Sequence, residues 1–494
     1  MCRSGFCVDG ICCDAACDGA CESCQGEATD APDGACAPRR VRSASPLCDG
    51  ICSGDRRCLS GTPEWAEVYV APGDETAVYA IGPTSAGGVI VAADFFGSDI
   101  DLGDQPWPAA GLVLAEVGPE TSIPRWSASY PDFSGELRSL TSDNGGRILL
   151  SGVARRDDLL FWRSLGIPDP SGSSSSGFLF LAAFRSSDGQ GAWAKEYRVG
   201  SGTATILGTT HQAAEGAHLL MHDRTSSIEV QSEVGPASVT DGGNILLHQT
   251  ESALVRAAGY AGGEVFPQSL ADDPIRGGVY LAGTTSGEAF GTPVMGEAGY
   301  VASFFSDYQT RWVATLAAAD GGPGFSTDLY QVAADPAWTR VNLMAYANAT
   351  ATVAEGPPLP TAAGQQIVGQ LDDSGGHAWS VGIPQPSFAE GTMGVGPRGD
   401  VVAAFFCEET VAAGELSVDA GRGALCAVRF TRDGDPLWLR FFSCSDPDMF
   451  PTSVVVAESG VFISGSFIGS LEVGGEVGTL TTNGQDLFLL KLRP

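Results

Sequence analysis

A chain of 494 residues with 43% hydrophobic content and a formal net charge of -32 is neither disordered nor membrane-embedded, and it suits neither nucleic acid nor an anionic membrane as partner. No apolar run approaches the roughly 18 residues that a spanning helix needs. Its 66 glycines and 29 prolines punctuate many turns, which argues for short strands rather than helices.

Taken from the amino end, the first 60 residues stand apart. Cysteines at 2, 7, 12, 13, 17, 21, 24, 36, 48, 52 and 58 make 11 of the 14 in the chain. A segment that short buries too little core to hold itself and needs covalent staples, which form in oxidising compartments. Residues 1–60 are therefore expected to be a disulfide-rich module, with 61–494 as the second domain. Zinc competes poorly, because the segment has one C-x-x-C, Cys21 to Cys24, and no histidine precedes His211. Eleven is odd, so one cysteine pairs outside the segment, with Cys444 in view, stays free, or has a partner upstream. Nothing like a leader precedes the module. A truncated start is expected, with the protein extracellular or on the outer cell surface. The run Ser4–Cys24, with its vicinal Cys12 and Cys13, resembles the cysteine-rich module of predicted secreted proteins and lipoproteins of myxobacterial type, and the repeats that follow resemble those that often accompany it. The resemblance implies a secreted or surface location and binding, without naming a ligand. No lipobox precedes Cys2, so a lipid anchor would require an upstream leader.

Beyond the head, one pattern returns seven times: a glycine-led apolar strand, an excursion, a second apolar strand, then an acidic or glycine turn into a strand anchored by tryptophan. The anchors are Trp65, Trp126, Trp193, Val255 in place of a tryptophan, Trp312, Trp379 and Trp438, spaced 57 to 67 residues apart. This predicts an all-β fold, a seven-bladed β-propeller of four-stranded blades. The last copy ends after three strands at Leu492, while Pro63–Pro72 is a fourth-type strand with no blade before it. The strand near Trp65 is thus expected to close the ring, leaving no open sheet edge.

The turns before Trp193, Trp379 and Trp438 resemble the acidic-glycine-tryptophan turn of sialidase-type propellers and of pyrroloquinoline-quinone dehydrogenases. In both families the turn is structural, which implies that Asp188, Asp373 and Asp433 cap their own turns while the tryptophan packs between blades. A sialidase would also need an arginine cluster with a nucleophile and base, and a quinone enzyme eight blades; neither set is legible. Gly394–Gly399 spells G-x-G-x-x-G but reads as a hairpin turn, and it contains the adhesion-like Arg398-Gly399-Asp400.

Three local features carry the functional expectations. In blade 2 the long loop between the second and third strands holds Arg155, Arg156, Phe161, Trp162 and Arg163; either these form a binding platform, or Phe161 and Trp162 fold back over their own blade. In blade 3, pairing His222 near Asn244 puts His218 opposite His248 and His211 beside His218. Three imidazoles, with Glu215 or Glu251, could then hold zinc or another divalent ion, the alternative being ordinary strand histidines. In blade 6, Cys407 and Cys426 are placed to form a disulfide. The function expected is an extracytoplasmic binding protein that presents its loop face to a protein or glycan, with no catalysis and no resident cofactor. The alternative is a propeller-fold hydrolase or lyase, sialidase-like or metal-dependent.

Overall fold

The computed structural model describes residues 6–8, 11–13, 17, 21–25, 27–33, 35–39, 44–45, 48–52, 58–69, 75–96, 100–101, 106–107, 111–142, 147–155, 158–166, 178–197, 205–211, 216–223, 228–232, 235–239, 243–261, 265–294, 297–319, 325–359, 364–385, 391–421, 423–446, 449–482 and 484–494. Seven antiparallel four-stranded blades form a ring. Blade 1 is Glu75–Pro83, Val89–Phe96, Gly111–Val117 and Pro124–Tyr130; blade 2 is Glu136–Ser142, Arg147–Ala154, Phe178–Arg185 and Gly191–Tyr197. Blade 3 is Thr205–His211, Ala217–Asp223, Gly243–Gln249 and Leu254–Ala261; blade 4 is Val265–Asp272, Val279–Thr285, Ala298–Phe304 and Thr310–Ala318. Blade 5 is Thr327–Ala334, Val341–Ala347, Gln365–Leu371 and His377–Pro384; blade 6 is Gly391–Val395, Val401–Cys407, Ala424–Phe430 and Pro436–Cys444. Blade 7 takes Phe450–Ala457, Gly460–Phe467 and Asp486–Leu492, then Pro63–Tyr69 as its outer strand, with Leu487 opposite Tyr69 and Lys491 opposite Trp65.

The blades stack face to face, so each middle strand is covered on both sides and reads as an unbroken apolar run rather than an alternation. Val402 and Ala404 pack against Val461 and Ile463 of blade 7, while Val401, Ala403 and Phe405 pack against Met344 and Val368 of blade 5. Because successive strands are antiparallel, the turns joining strands one to two and three to four lie on one face, here the turn face. The second-to-third-strand loops and the links between blades lie on the other. Those loops carry small elements of their own. The hairpin Ser470–Gly474 with Gly478–Thr481, from blade 7, pairs with the outer strand of blade 6.

Neighbouring blades are clasped by a repeated contact. Trp126, Trp312 and Trp379 each donate their indole N–H to a turn carbonyl of the next blade, those of Ser186, Asp373 and Arg432, at 2.8, 3.1 and 2.9 Å. Beneath each indole lies a turn glycine in the left-handed region: Gly189 under Trp126, Gly375 under Trp312, Gly434 under Trp379, and Gly61 under Trp438. A Cβ on any of these would fall 2.4 to 2.7 Å from the indole. Each outer strand also bulges just before its anchor, and in blade 3 the bulge falls on Val255, so that Arg256 rather than Val255 stands opposite His248. Arg256 donates to Ser306 O at 2.7 Å, the bond the indoles make elsewhere. The anchor expected at Val255 is thus one residue off, because the bulge adds a residue that spacing cannot reveal.

Disulfides join Cys13 to Cys24, Cys17 to Cys36 and Cys21 to Cys52 in the head, and Cys407 to Cys426 in blade 6. Such bonds belong to oxidising surroundings and agree with an extracellular location. Cys444 is not disulfide-bonded, contrary to the pairing with the head considered above. It lies in the outer strand of blade 6 opposite Leu471, half-buried beside Met449, and burial pushes its thiol up to about 12. The head meets the ring at its seam, where Leu59 joins the core around Trp438 and Arg440 donates to Ser60 O at 2.8 Å.

The clasp gives a direct test. Gly434→Ala puts a methyl 2.6 Å from Trp379 at a φ of +87°, and Gly166→Ala meets nothing within 4 Å at a φ of +78°. Chemical unfolding is expected to show Gly434→Ala costing about 1–3 kcal/mol more than Gly166→Ala, the excess being the blade-to-blade clash.

Candidate functional site

In the blade-2 loop, Asp158 fixes the chain, accepting from Ser134 N at 3.1 Å and Ser134 Oγ at 2.7 Å through one oxygen and from Arg155 N at 2.7 Å through the other. The short helix Leu159–Ser164 follows, with Phe161 N donating to Asp132 Oδ1 at 2.8 Å, and it turns Phe161 and Trp162 inward. Both are fully buried between blades 1 and 2, Phe161 against Phe133 and Phe180 with ring centroids 4.9 and 5.4 Å apart. Trp162 donates its indole N–H to Arg155 O at 2.9 Å. Burying such a side chain is worth about 1.5–3 kcal/mol, so the pair belongs to the core and offers no platform. Arg155 and Arg163 are exposed, and Arg156 lies outside the described residues.

In blade 3, His218 stands opposite His248, with ring centroids 4.9 Å apart, and His222 stands opposite Asn244, which it meets at 2.8 Å. His211 pairs with Ala217, while the residue opposite His218 is Thr210, so His211 sits one register position away from the other two; its side chain lies outside the described residues. His218 is fully buried against blade 4, its Nδ1 2.7 Å from Tyr308 Oη and its Nε2 3.7 Å from Asp272 Oδ1. Burial, with Asp273 alongside, pushes the Asp272 carboxyl up to about 8. Glu251 is exposed in a turn and Glu215 lies outside the described residues. Among the described residues, one group of three His, Cys, Asp or Glu side chains could reach a common ion, Cys17, Glu22 and Cys36, and there the two sulfurs are bonded to each other.

Of the acidic turn residues, Asp188 caps its turn, accepting from Gln190 N at 3.1 Å. In the other two turns the cap is Asp372, accepting from Ser374 N at 2.8 Å, and Thr431, accepting from Asp435 N at 3.0 Å. Asp373 instead pairs with Arg276 of blade 4 at 2.8 Å, and Asp433 approaches Arg340 of blade 5. Gly396–Gly399 is a hairpin turn, and Asp400 of the adhesion-like tripeptide is buried, 2.7 Å from Arg429.

Sequence reasoning missed a patch on the turn face of blades 4 to 6. Trp338 is 53% exposed, Phe305 48% and Ile275 48%, all in first-to-second or third-to-fourth strand turns. Arg432 of blade 6 lies 3.7 Å over the Trp338 ring, and Arg311 lies 4.7 Å over that of Phe305. Arginine-backed aromatics left bare on their other side are the usual anchors of interfaces. Their turns are far apart in sequence, so no local motif announces them.

No family model matches the chain, and no curated protein matches it. Among solved structures it is similar to the Dos1 propeller, 9% identical, covering 87% of this chain and 94% of that one at a TM-score of 0.41. It is also similar to a chain of the mitotic checkpoint complex, 10% identical, covering 89% and 94% at 0.43, and to a europium-containing methanol dehydrogenase, 10% identical, covering 85% and 81% at 0.36.

Asp94, fully buried between blades 1 and 2, marks where charge is costly. Neither carboxyl oxygen makes a hydrogen bond, and burial pushes the group up to about 8 against the weaker pull of nearby backbone amides, with Glu136 adding to the rise. A folded value above the unfolded one of about 3.9 means that the native state holds the proton longer. Its contribution therefore lowers stability progressively from about pH 4 to about pH 8. Asp94→Asn is expected to remove this part of the slope and to be the more stable protein at pH 8, by a few kcal/mol in chemical unfolding. A variant less stable than wild type at pH 8 would overturn this.

Proposed function

We propose that the protein is an extracytoplasmic binding protein, acting by association rather than catalysis, whose partner is a protein docked on the turn face of blades 4 to 6. The observation that carries this reading is Trp338, half exposed with one face held by Arg432, on the same turn face as the exposed Ile275 and Phe305. A pre-positioned aromatic costs little side-chain entropy on binding, which is why such residues dominate interface energetics. The disulfides, and the resemblance of Ser4–Cys24 to modules of secreted proteins and lipoproteins, support a place outside the cytoplasm. The propeller supplies the rigidity.

A photo-crosslinking residue at position 338, in the full chain made by an oxidising route, is the test. In an envelope or secreted fraction of the source it is expected to give one adduct, absent when the crosslinker sits at the exposed Ser187 on blade 2. Excess wild-type protein should suppress that adduct, and excess Trp338→Ala/Phe305→Ala should not, both having unchanged unfolding midpoints. Competition by the double variant equal to wild type would sink the proposal. Adduct loss on removing surface glycans would move the partner to a sugar.

A further inference from the structure

The inner strands enclose a central cavity of about 700 Å³, within the range of small-ligand sites. Among the described residues lining it, Asp272 is the one acid and Arg147 the one base. Asp272 spans the wall. Its Oδ1 is buried toward His218 Nε2, which leaves Oδ2 on the cavity side, and behind His218 stands Tyr308. Two hydroxyls line the same cavity, Thr210 on the blade-3 side of the strand that carries Asp272 and Ser269 on its blade-5 side. Thr210 Oγ1 accepts from Asp272 N at 3.0 Å and Ser269 Oγ accepts from Val332 N at 3.1 Å, so each keeps its own proton to donate.

This wall lies where the clasp is replaced. Tyr308, at a φ of +64°, occupies the left-handed turn position that glycine holds at Gly189, Gly375 and Gly434. At those glycines a Cβ would strike the indole, so a tryptophan clasp and Tyr308 exclude each other, and Arg256 stands in the tryptophan's place. The exchange of both partners at a single interface brings a Tyr-His-Asp row to the channel. Local departures from a repeat's rule are where functional sites are expected.

We propose that the channel wall at Asp272, Thr210 and Ser269 binds an uncharged polyhydroxylated ligand, a sugar unit, with the Asp272 carboxyl as its principal hydrogen-bonding group and His218 and Tyr308 as positioning residues. The cavity borders the turn-face patch through Pro274 and Pro336, but the site uses none of the patch's exposed side chains and stands without it. Burial favours the neutral carboxyl, which both donates and accepts, and the Thr210 and Ser269 hydroxyls along the same cavity add further donors and acceptors for a sugar's hydroxyls. A charged ligand would find one acid or one base and little else.

The full chain, made with its disulfides, is screened on a glycan array, and any sugar bound is titrated as the free mono- or disaccharide. Binding is expected in the wild type, weakened at least 10-fold in Asp272→Ala and in Ala334→Trp, which narrows the same cavity from blade 5, and unchanged in Trp338→Ala. Should Asp272→Ala fail to fold, Ala334→Trp decides. Absence of binding to every array sugar at millimolar concentration overturns the proposal, as does binding that survives both cavity variants. Loss in Trp338→Ala alone assigns the sugar to the turn face instead.

Discussion

The structure depends on a left-handed turn glycine giving its missing side-chain volume to an indole from the blade before it. Blade-to-blade packing is otherwise apolar and non-directional, and apolar contact alone would tolerate sliding or a different blade angle. The indole N–H bound to a carbonyl of that turn fixes the approach in both distance and direction, as at Trp126, Trp312 and Trp379. That geometry recurs between blades 1 and 2, 4 and 5, and 5 and 6, and it holds those sheets at one spacing.

The seam follows the same rule by different means. The turn that should connect the third and fourth strands of blade 7 is built from two separate stretches, with Ser60 N bonded to Pro494 O at 3.0 Å and Arg493 N to Thr62 O at 2.9 Å. Gly61 still sits under Trp438, so the glycine-indole packing survives a break in covalent connection, without the indole N–H bond. Closing over such a sequence distance costs loop entropy, and a complete strand pairing from Leu487 to Leu492 together with Arg440 on Ser60 offsets it.

Two places on the ring carry polar or aromatic groups that the clasp does not use. At the interface of blades 3 and 4 the clasp is exchanged for Arg256 and Tyr308, and a buried polar row reaches the channel. On the turn face of blades 4 to 6, the ion pairs of Arg276 with Asp373 between blades 4 and 5 and of Arg311 with Asp273 within blade 4 hold turns that leave Phe305, Ile275 and Trp338 bare. Both features use residues of ordinary turns and strands, so the same scaffold supports packing and recognition without a separate element for either.

The repeat, the number of blades and the strand that closes the ring were legible in the sequence, because strand period, glycine placement and tryptophan spacing are local properties the chain must satisfy before any blade meets another. So were the strand partners of His218 and His222, set by the pairing of the second and third strands of blade 3. What the tertiary structure decided was on which side of a surface each side chain ends. Phe161 and Trp162 read equally well as platform or core until Asp158 bent their loop inward; Val255 and Arg256 were separated by a bulge that shifts one residue; Trp338 and Arg432 met across two blades. These outcomes turn on approach between segments distant along the chain, where a displacement of one residue or a few ångströms moves a group from solvent to core, and no local pattern records that distance.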